Sequence, residues 1–471
     1  MESATDVVKF TVLVFLFFIA APVTGFLMRH RPRFQRFSFF LICFLTIEGI
    51  FQPGEWGLTI DPILYRGHSR GFHFYFIEVA AAALFFAQIF SNWRSTKLFP
   101  PGLGLYLLYC GLSCVSIINA PEPMFVLMAA LKAVKVTLIF LAAYNFLQTD
   151  DDLRFFLNSM GWTMLWELIA VLKLKYADHI YQVPGTFEHQ NALAMFASMI
   201  GMVFLAAGLG AASRFSNFIL FAYVACAAIV QSTLSRGGLV MFAAGTVAVV
   251  IVSLIDRPTK RRLQGTALLT LIAVIGLAMT LHTIIGRFRD YGNDESKRTR
   301  AMLNDASRQM LREHPLGIGW NNFARVINRP FPYGDKIDDW QRSNGNPVDP
   351  TYEKGVVESL YWLLLAETGY QSLACYLILI AVFLFWNFRG TLFFRNHLVG
   401  CVSMGIAVGC GINYVQSTLE RVLTQPRNLI LWMLMLATTA KIESWRRIEA
   451  RKKRARALEL AKRAEAIYQP V

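Results

Sequence analysis

The chain has 471 residues, of which 55% are hydrophobic and 16% charged. A soluble domain carries about 25% charged residues, so a soluble enzyme, a disordered chain and a disulfide scaffold are excluded. Lys and Arg outnumber Asp and Glu by 46 to 31, a net charge of +15. Retention of basic residues in cytoplasmic loops explains that excess without any nucleic acid partner.

Apolar stretches fall near 10–28, 38–52, 73–91, 102–119, 123–147, 155–174, 191–211, 216–232, 237–255, 266–286, 360–386, 396–415 and 427–440. Most are long enough for a hydrocarbon core of about 30 Å, which predicts an all-α polytopic membrane protein of about 12–13 transmembrane helices. The shortest, 38–52 and 427–440, are candidate half-spans. Glu2 and Asp6 precede the first apolar run and no small-residue cleavage site follows, so a secretory signal is not expected. The seven cysteines lie in or beside apolar spans and read as small buried hydrophobes.

Basic loops set the orientation. Arg29–His30–Arg31–Pro32–Arg33, the loops 94–97 and 257–262, and the tail after Lys441 belong in the cytoplasm. The N-terminus is then outside and the C-terminus inside. The chain divides into an N-terminal transmembrane bundle (1–286), an extracytoplasmic loop (287–359), C-terminal transmembrane helices (360–440) and a basic tail (441–471). Residues 441–465 carry ten basic and four acidic side chains, either a helix drawn to anionic headgroups or a solvated topology anchor.

The segment 287–355 is the one long hydrophilic stretch, and loops of this size are commonly functional. Met302, Ala306 and Met310 recur at helical spacing within 296–312, so the loop is expected to be partly helical.

Several side chains at the outer ends of spans suit anionic or hydroxylic chemistry. Arg236 opens a span in Ser235–Arg236–Gly237–Gly238. A guanidinium at that depth calls for a partner or a function, and its fork fits phosphate oxygens. Snorkelling to headgroups is the plain alternative. Arg298 and Arg300, beside Lys297, begin the helical part of the loop and face the same surface. In Gly185–Thr186–Phe187–Glu188–His189–Gln190–Asn191, His189 is a candidate base near pH 7 and Asn191 a candidate ligand or helix cap. Glu358 follows the loop and Glu367 lies within Ala366–Glu367–Thr368–Gly369. An interfacial carboxylate serves as general base or simply satisfies a helix start. Glu48, Glu78, Lys132, Lys135 and Glu167 are intramembrane charges with partners unassigned, and Asp150–Asp151–Asp152 reads as a helix cap. No cluster has metal-ligand spacing and no phosphate-cradling glycine loop is present, so no metal or cofactor is expected.

Taken in order, these pieces resemble the O-antigen ligase and polymerase superfamily of bacterial membrane glycosyltransferases. The matching features are Gly185–Thr186–Phe187 through Asn191 and Ala194, then Ser235–Arg236–Gly237–Gly238 and an Arg near 300. His314–Pro315–Leu316–Gly317–Ile318–Gly319–Trp320–Asn321–Asn322–Phe323 and Ala366–Glu367–Thr368–Gly369 complete the series, over about residues 120–440.

The resemblance implies metal-independent inverting transfer of a glycan from an undecaprenyl diphosphate carrier, at the periplasmic face of a bacterial inner membrane. The acceptor is then lipid A-core or a growing polysaccharide. Arg236 and Arg300, with Arg298 close by, match the arginines that hold the diphosphate. Where ligases of the family place His-Asn, this chain has Glu358–Ser359, which leaves polymerisation open beside ligation. Glu358 is the expected base, with His189 as fallback. Two rivals are a transporter of lipid-linked sugars, against which no internal repeat of halves is visible, and a non-catalytic subunit of an export system.

Overall fold

Hydrocarbon offers no hydrogen bonds to backbone groups, so apolar runs satisfy their own as helices. The computed structural model describes residues 4–47, 56–59, 69, 71–210, 214–256, 258–268, 270–271, 285–286, 293–345, 354–395 and 397–467. Among them the chain is a helical bundle. Among the described residues eight helices are long and apolar enough to cross a membrane: Val7–Met28, Pro123–Phe146, Asp150–Ala177, Gln190–Gly210, Arg214–Thr233, Arg236–Ile255, Leu360–Phe393 and Leu398–Gln416. Phe76–Ser91 and Leu103–Asn119 are shorter apolar helices. The all-α polytopic architecture expected from composition is therefore present.

Individual spans differ in instructive ways. Pro32–Phe44 is a short helix of 13 residues in the place of span 38–52, whose later residues, with Glu48, lie outside the described ones. Most of span 266–286 does too. Span 427–440 is the start of one long helix, Pro426–Ile467, that carries the basic tail without a break. At about 1.5 Å per residue its apolar stretch falls short of a full crossing. Ahead of Phe76–Ser91, Gly71–Phe74 pairs antiparallel with Trp56–Thr59. That small ribbon was not expected.

Helix Gln190–Gly210 is the axis of the bundle, buried almost throughout and packed against Arg214–Thr233, Arg236–Asp256 and Leu398–Gln416. Small residues permit these approaches: a Cβ on Gly409 would lie 2.3 Å from the Met199 carbonyl, and one on Gly405 2.5 Å from Val203 Cα. All seven cysteines are free; six are buried and Cys114 is half-buried. Of the described intramembrane charges, Lys135 and Glu78 pair with each other. Lys135 Nζ lies 2.9 Å from Glu78 and donates to the His73 carbonyl at 2.6 Å. The acidic run starts a helix as expected, with Asp152 accepting from the backbone of Gln148 and Thr149.

The hydrophilic segment folds on its own small core. Helix Asn293–Glu313 buries Leu303, Ala306 and Met310 against Ile318, Phe323, Ile327 and Ile337. Val357, Leu363 and Ala366 belong to the same cluster, so the segment is seated on helix Leu360–Phe393.

That helix is open where the segment meets it. Gly369 has φ 76° and ψ −178°, which breaks the helical ladder. The freed carbonyls of Ala366 and Glu367 accept from Ile318 N–H at 2.9 Å and Gly319 N–H at 3.1 Å. The Glu367 side chain accepts from Phe323 N–H at 3.1 Å. Gly317 and Gly319 also hold positive φ, and a Cβ on Gly317 would stand 2.3 Å from the Glu367 carbonyl.

Gly369→Ala should therefore lower the melting temperature in detergent. The backbone region is essentially glycine-only, at a cost of about 1–3 kcal/mol, and the added Cβ would lie 2.5 Å from the Pro315 carbonyl. Hydrogen exchange at Ile318 and Gly319 should speed up. Ala at Gly411, where a Cβ meets nothing within 4 Å, is the matched control and should be silent.

Candidate functional site

Segments from five parts of the chain converge at the end of the bundle that carries this folded segment. The first is the turn before helix Gln190–Gly210. Gly185 has φ 62°, and a Cβ there would overlap Glu167 Oε1 at 2.0 Å. Glu167 takes the Thr186 N–H at 2.9 Å and its hydroxyl at 2.8 Å. From the other side Arg427 donates to the Thr186 carbonyl and lies 4.9 Å over the Phe187 ring. Held between these two charges, the turn delivers His189 and Asn191 to the helix start. His189 Nδ1 accepts the Asn191 N–H at 3.2 Å, so the cap falls to the histidine. Asn191 is already inside the helix, and its amide donates to Glu420 Oε1 at 2.8 Å. The capping role expected of Asn191 is thus corrected, because its side chain is engaged across the bundle.

Glu420 lies on the short connection between Leu398–Gln416 and Pro426–Ile467. Its N–H donates to Gln416 O at 3.0 Å, closing a turn just past the helix end. The third part joins it there. Leu360 N–H donates to Ser417 O at 3.0 Å and Tyr361 OH to Tyr414 O at 2.8 Å. These bonds hold the start of helix Leu360–Phe393, and with it Glu358, beside the turn.

Arg300 comes from helix Asn293–Glu313 and closes the cluster. Its Nε forms an ion pair with Glu358 Oε2, and its Nη2 lies 3.7 Å from Glu420 Oε1. One guanidinium thus faces two carboxylates. Residues two apart on a helix point to different sides, and Arg298 is accordingly exposed while Arg300 is half-buried. The structure brings Arg300, Glu358, Glu420 and Asn191 together. It leaves Arg298 outside.

Arg236 reaches the same end of the bundle by another route. Ser235 Oγ accepts the Gly238 N–H at 3.2 Å, capping helix Arg236–Asp256. A Cβ on Gly238 would sit 2.7 Å from Ala194 Cβ, so glycine lets the Arg236 and Asn191 helix starts lie side by side. A Cβ on Gly237 would lie 3.5 Å from the amide of Gln416, one turn before Glu420. The Arg236 side chain is half-buried.

Electrostatics distinguish the two carboxylates. The Glu358 side chain is 40% exposed and that of Glu420 is 17%. Burial pushes the Glu420 carboxyl up to about 7, and the Glu358 carboxylate adds to the rise against the pull of Arg300 and Asn191. A carboxyl poised there gives up or takes a proton readily near neutral pH. Sequence reasoning missed Glu420 and Arg427. Their signal was available: Glu420, Arg421 and Arg427 crowd a connection of nine residues (417–425) and its edge between two apolar helices.

Residues 219–370 match the family model described as O-antigen ligase. The matched stretch supports the resemblance drawn from the motifs, and Arg236, Arg298, Arg300 and Glu358 lie inside it. No curated protein matches the chain.

The raised Glu420 carboxyl carries a pH signature. The folded chain holds this proton more tightly than the unfolded chain, so its contribution favours folding at low pH. That contribution fades as pH rises from 4.5 to about 7. Melting temperature should fall between pH 5 and pH 8 more steeply in the wild type than in Glu420→Gln. Parallel slopes would remove the buried proton from the account.

Proposed function

We propose that the chain transfers a glycan from an undecaprenyl diphosphate carrier to an acceptor hydroxyl, without a metal and with inversion. The reaction takes place on the periplasmic face of a bacterial inner membrane. The observation that carries this reading is the position of Arg300 between Glu358 and Glu420, inside or beside a stretch of O-antigen ligase type. The three charges come from separate segments and meet around one partly exposed guanidinium, where an anionic ligand can compete.

In the free protein Glu358 neutralises Arg300. An arriving diphosphate competes for the guanidinium, since phosphate oxygens match its fork at least as well as one carboxylate. Arg236, at the adjacent helix start, supplies a second positive charge. As Arg300 turns to the diphosphate, Glu358 is released to accept a proton. The acceptor oxygen then attacks the anomeric carbon from the face opposite the carrier and its proton passes to Glu358. The bond from the anomeric carbon to the diphosphate breaks, and the lipid diphosphate leaves with the electron pair. Arg300 and Arg236 stabilise the charge that develops on it. Glu420 is close enough to take over the proton or to hold Arg300 in place. Asn191 orients Glu420 through its amide, and His189 fixes Asn191 through the helix cap.

Glu358–Ser359 in place of the His-Asn of ligases favours an acceptor other than lipid A-core, and a growing polysaccharide is the second reading. Purified protein with native lipid-linked oligosaccharide, with and without lipid A-core, separates the two. Arg300→Ala and Arg236→Ala should each lower transfer by about 10²–10³-fold, and Glu358→Gln by about 10²–10⁴-fold, with protein level unchanged. Glycan on lipid A-core identifies a ligase, and longer glycan still on the carrier a polymerase. Transport of labelled lipid-linked glycan with no new glycosidic bond would overturn the transferase.

A further inference from the structure

Gln416 ends helix Leu398–Gln416 one turn before Glu420, whose N–H its backbone carbonyl accepts at 3.0 Å. The residue is 1% exposed, and neither atom of its side-chain amide has a hydrogen-bond partner. Among the described residues it is the one side-chain amide whose nitrogen and oxygen are both buried and unpaired. The buried Asn413 and Asn428 each keep one bond: Asn413 Nδ2 donates to Gly409 O at 2.7 Å and Asn428 Nδ2 to Ala192 O at 3.2 Å. An amide that pairs with nothing loses its water at both ends without a return. The free protein therefore carries Gln416 at a cost.

The amide is aimed at a helix start. A Cβ on Gly237 would have Gln416 atoms as its three nearest neighbours, Nε2 at 3.5 Å, Cδ at 3.9 Å and Cγ at 4.0 Å. Those are ordinary contacts, so the fold has room for alanine there. At Gly238, where a Cβ would lie 2.7 Å from Ala194 Cβ, it has none. Alanine is also the better helix former, so packing does not call for glycine at 237. What glycine does there is keep a side chain from standing in front of the amide. Gly237 is the second residue of helix Arg236–Asp256. The first-turn N–H groups of a helix favour an anion, and Ser235 Oγ occupies that of Gly238 at 3.2 Å.

We infer that Gln416 is a specificity-determining residue that reads the sugar next to the carrier diphosphate, through a hydrogen-bond donor at C2 of that sugar. An ionised diphosphate at the Arg236 helix start offers acceptor oxygens alone. It can take the Gln416 N–H, but it leaves the amide oxygen unpaired. That oxygen needs a donor from elsewhere in the substrate. The nearest is the hydroxyl or acetamido N–H on C2, one bond from the anomeric carbon that carries the phosphate. The two polar atoms of a glutamine amide share one carbon, so the groups they bind must be neighbours, and these two are. A sugar without the donor strands the buried oxygen and is disfavoured for that reason. The inference deepens the transferase reading and rests on it for the diphosphate.

Binding is tested without transfer. Full-length protein in phosphatidylcholine nanodiscs is titrated with farnesyl diphosphate linked to glucose, to N-acetylglucosamine and to 2-deoxyglucose, which lacks the donor. The tighter of the first two should bind the wild type about tenfold more tightly than the 2-deoxy lipid, and it names the donor as hydroxyl or amide. Gln416→Met fills similar space without polar atoms. It should bind that lipid about tenfold more weakly and no longer discriminate, yet melt no lower than the wild type, because an unpaired buried amide is gone. Gly237→Ala should fold as the wild type does and also lose discrimination, its methyl standing against the amide. Discrimination that survives in Gln416→Met would overturn the inference. So would a drop in the melting temperature of that variant, which marks an amide that serves the fold. Equal binding of the three lipids by the wild type would overturn it and leave the diphosphate reading in place. Binding of none of them would overturn both.

Discussion

The folded polar segment and the charged cluster beside it depend on a helix that is left unfinished. Gly369 adopts a conformation open to glycine alone, and the carbonyls of Ala366 and Glu367 lose their intrahelical partners. Unsatisfied carbonyls inside a bundle cost several kcal/mol each unless another donor is found. The turn at 317–319 supplies those donors as Ile318 and Gly319 N–H, and Glu367 adds its carboxylate for Phe323 N–H. A polar segment is thereby joined to a membrane helix by backbone hydrogen bonds rather than by side-chain contact alone. Such a joint fixes register, because a shift of one residue would strand both carbonyls and bring a Cβ against Glu367.

With the segment fixed at that joint, its helix Asn293–Glu313 can hold Arg300 at a set height. Leu303, Ala306 and Met310 face the small core, which turns Arg300 towards Glu358. The two carboxylates reach the same guanidinium from different spans, tied by Leu360 N–H to Ser417 O. Exposed ion pairs are worth little as stabilisers, and these side chains are only partly shielded. Their meaning lies in exchange: a cation shared by two carboxylates is available to a better anion.

Much of this was legible in the sequence, and the failures have definite causes. Helical spans and the helix in the loop follow from apolar periodicity, which a bilayer enforces strictly. Arg236, Arg300 and Glu358 stood out because charges next to apolar runs are expensive. Glu420 did not, since a short connection hides which distant segments its side chain will meet. Asn191 looked like a cap because Asn favours that position. His189 takes the cap instead, since Glu420 offers the Asn191 amide a partner 229 residues away in sequence. Glu367 looked like an ordinary helix-start carboxylate. Its position inside a broken helix is a tertiary fact, although Gly369 two residues on was a visible mark of it. The ribbon of Gly71–Phe74 with Trp56–Thr59 is too short for alternation to announce itself.

A cavity lined by Tyr106, Tyr109, Trp320 and Trp432 shares its supports with the charged cluster. Glu367 lines the cavity and also holds the joint, and Arg421 lines the cavity next to Glu420. Phe323 packs in the same small core as Leu303 and Met310, the face of the helix that aims Arg300. The cavity wall and the helix that carries Arg300 are therefore joined through one carboxylate and one packed ring, which gives both the same structural support.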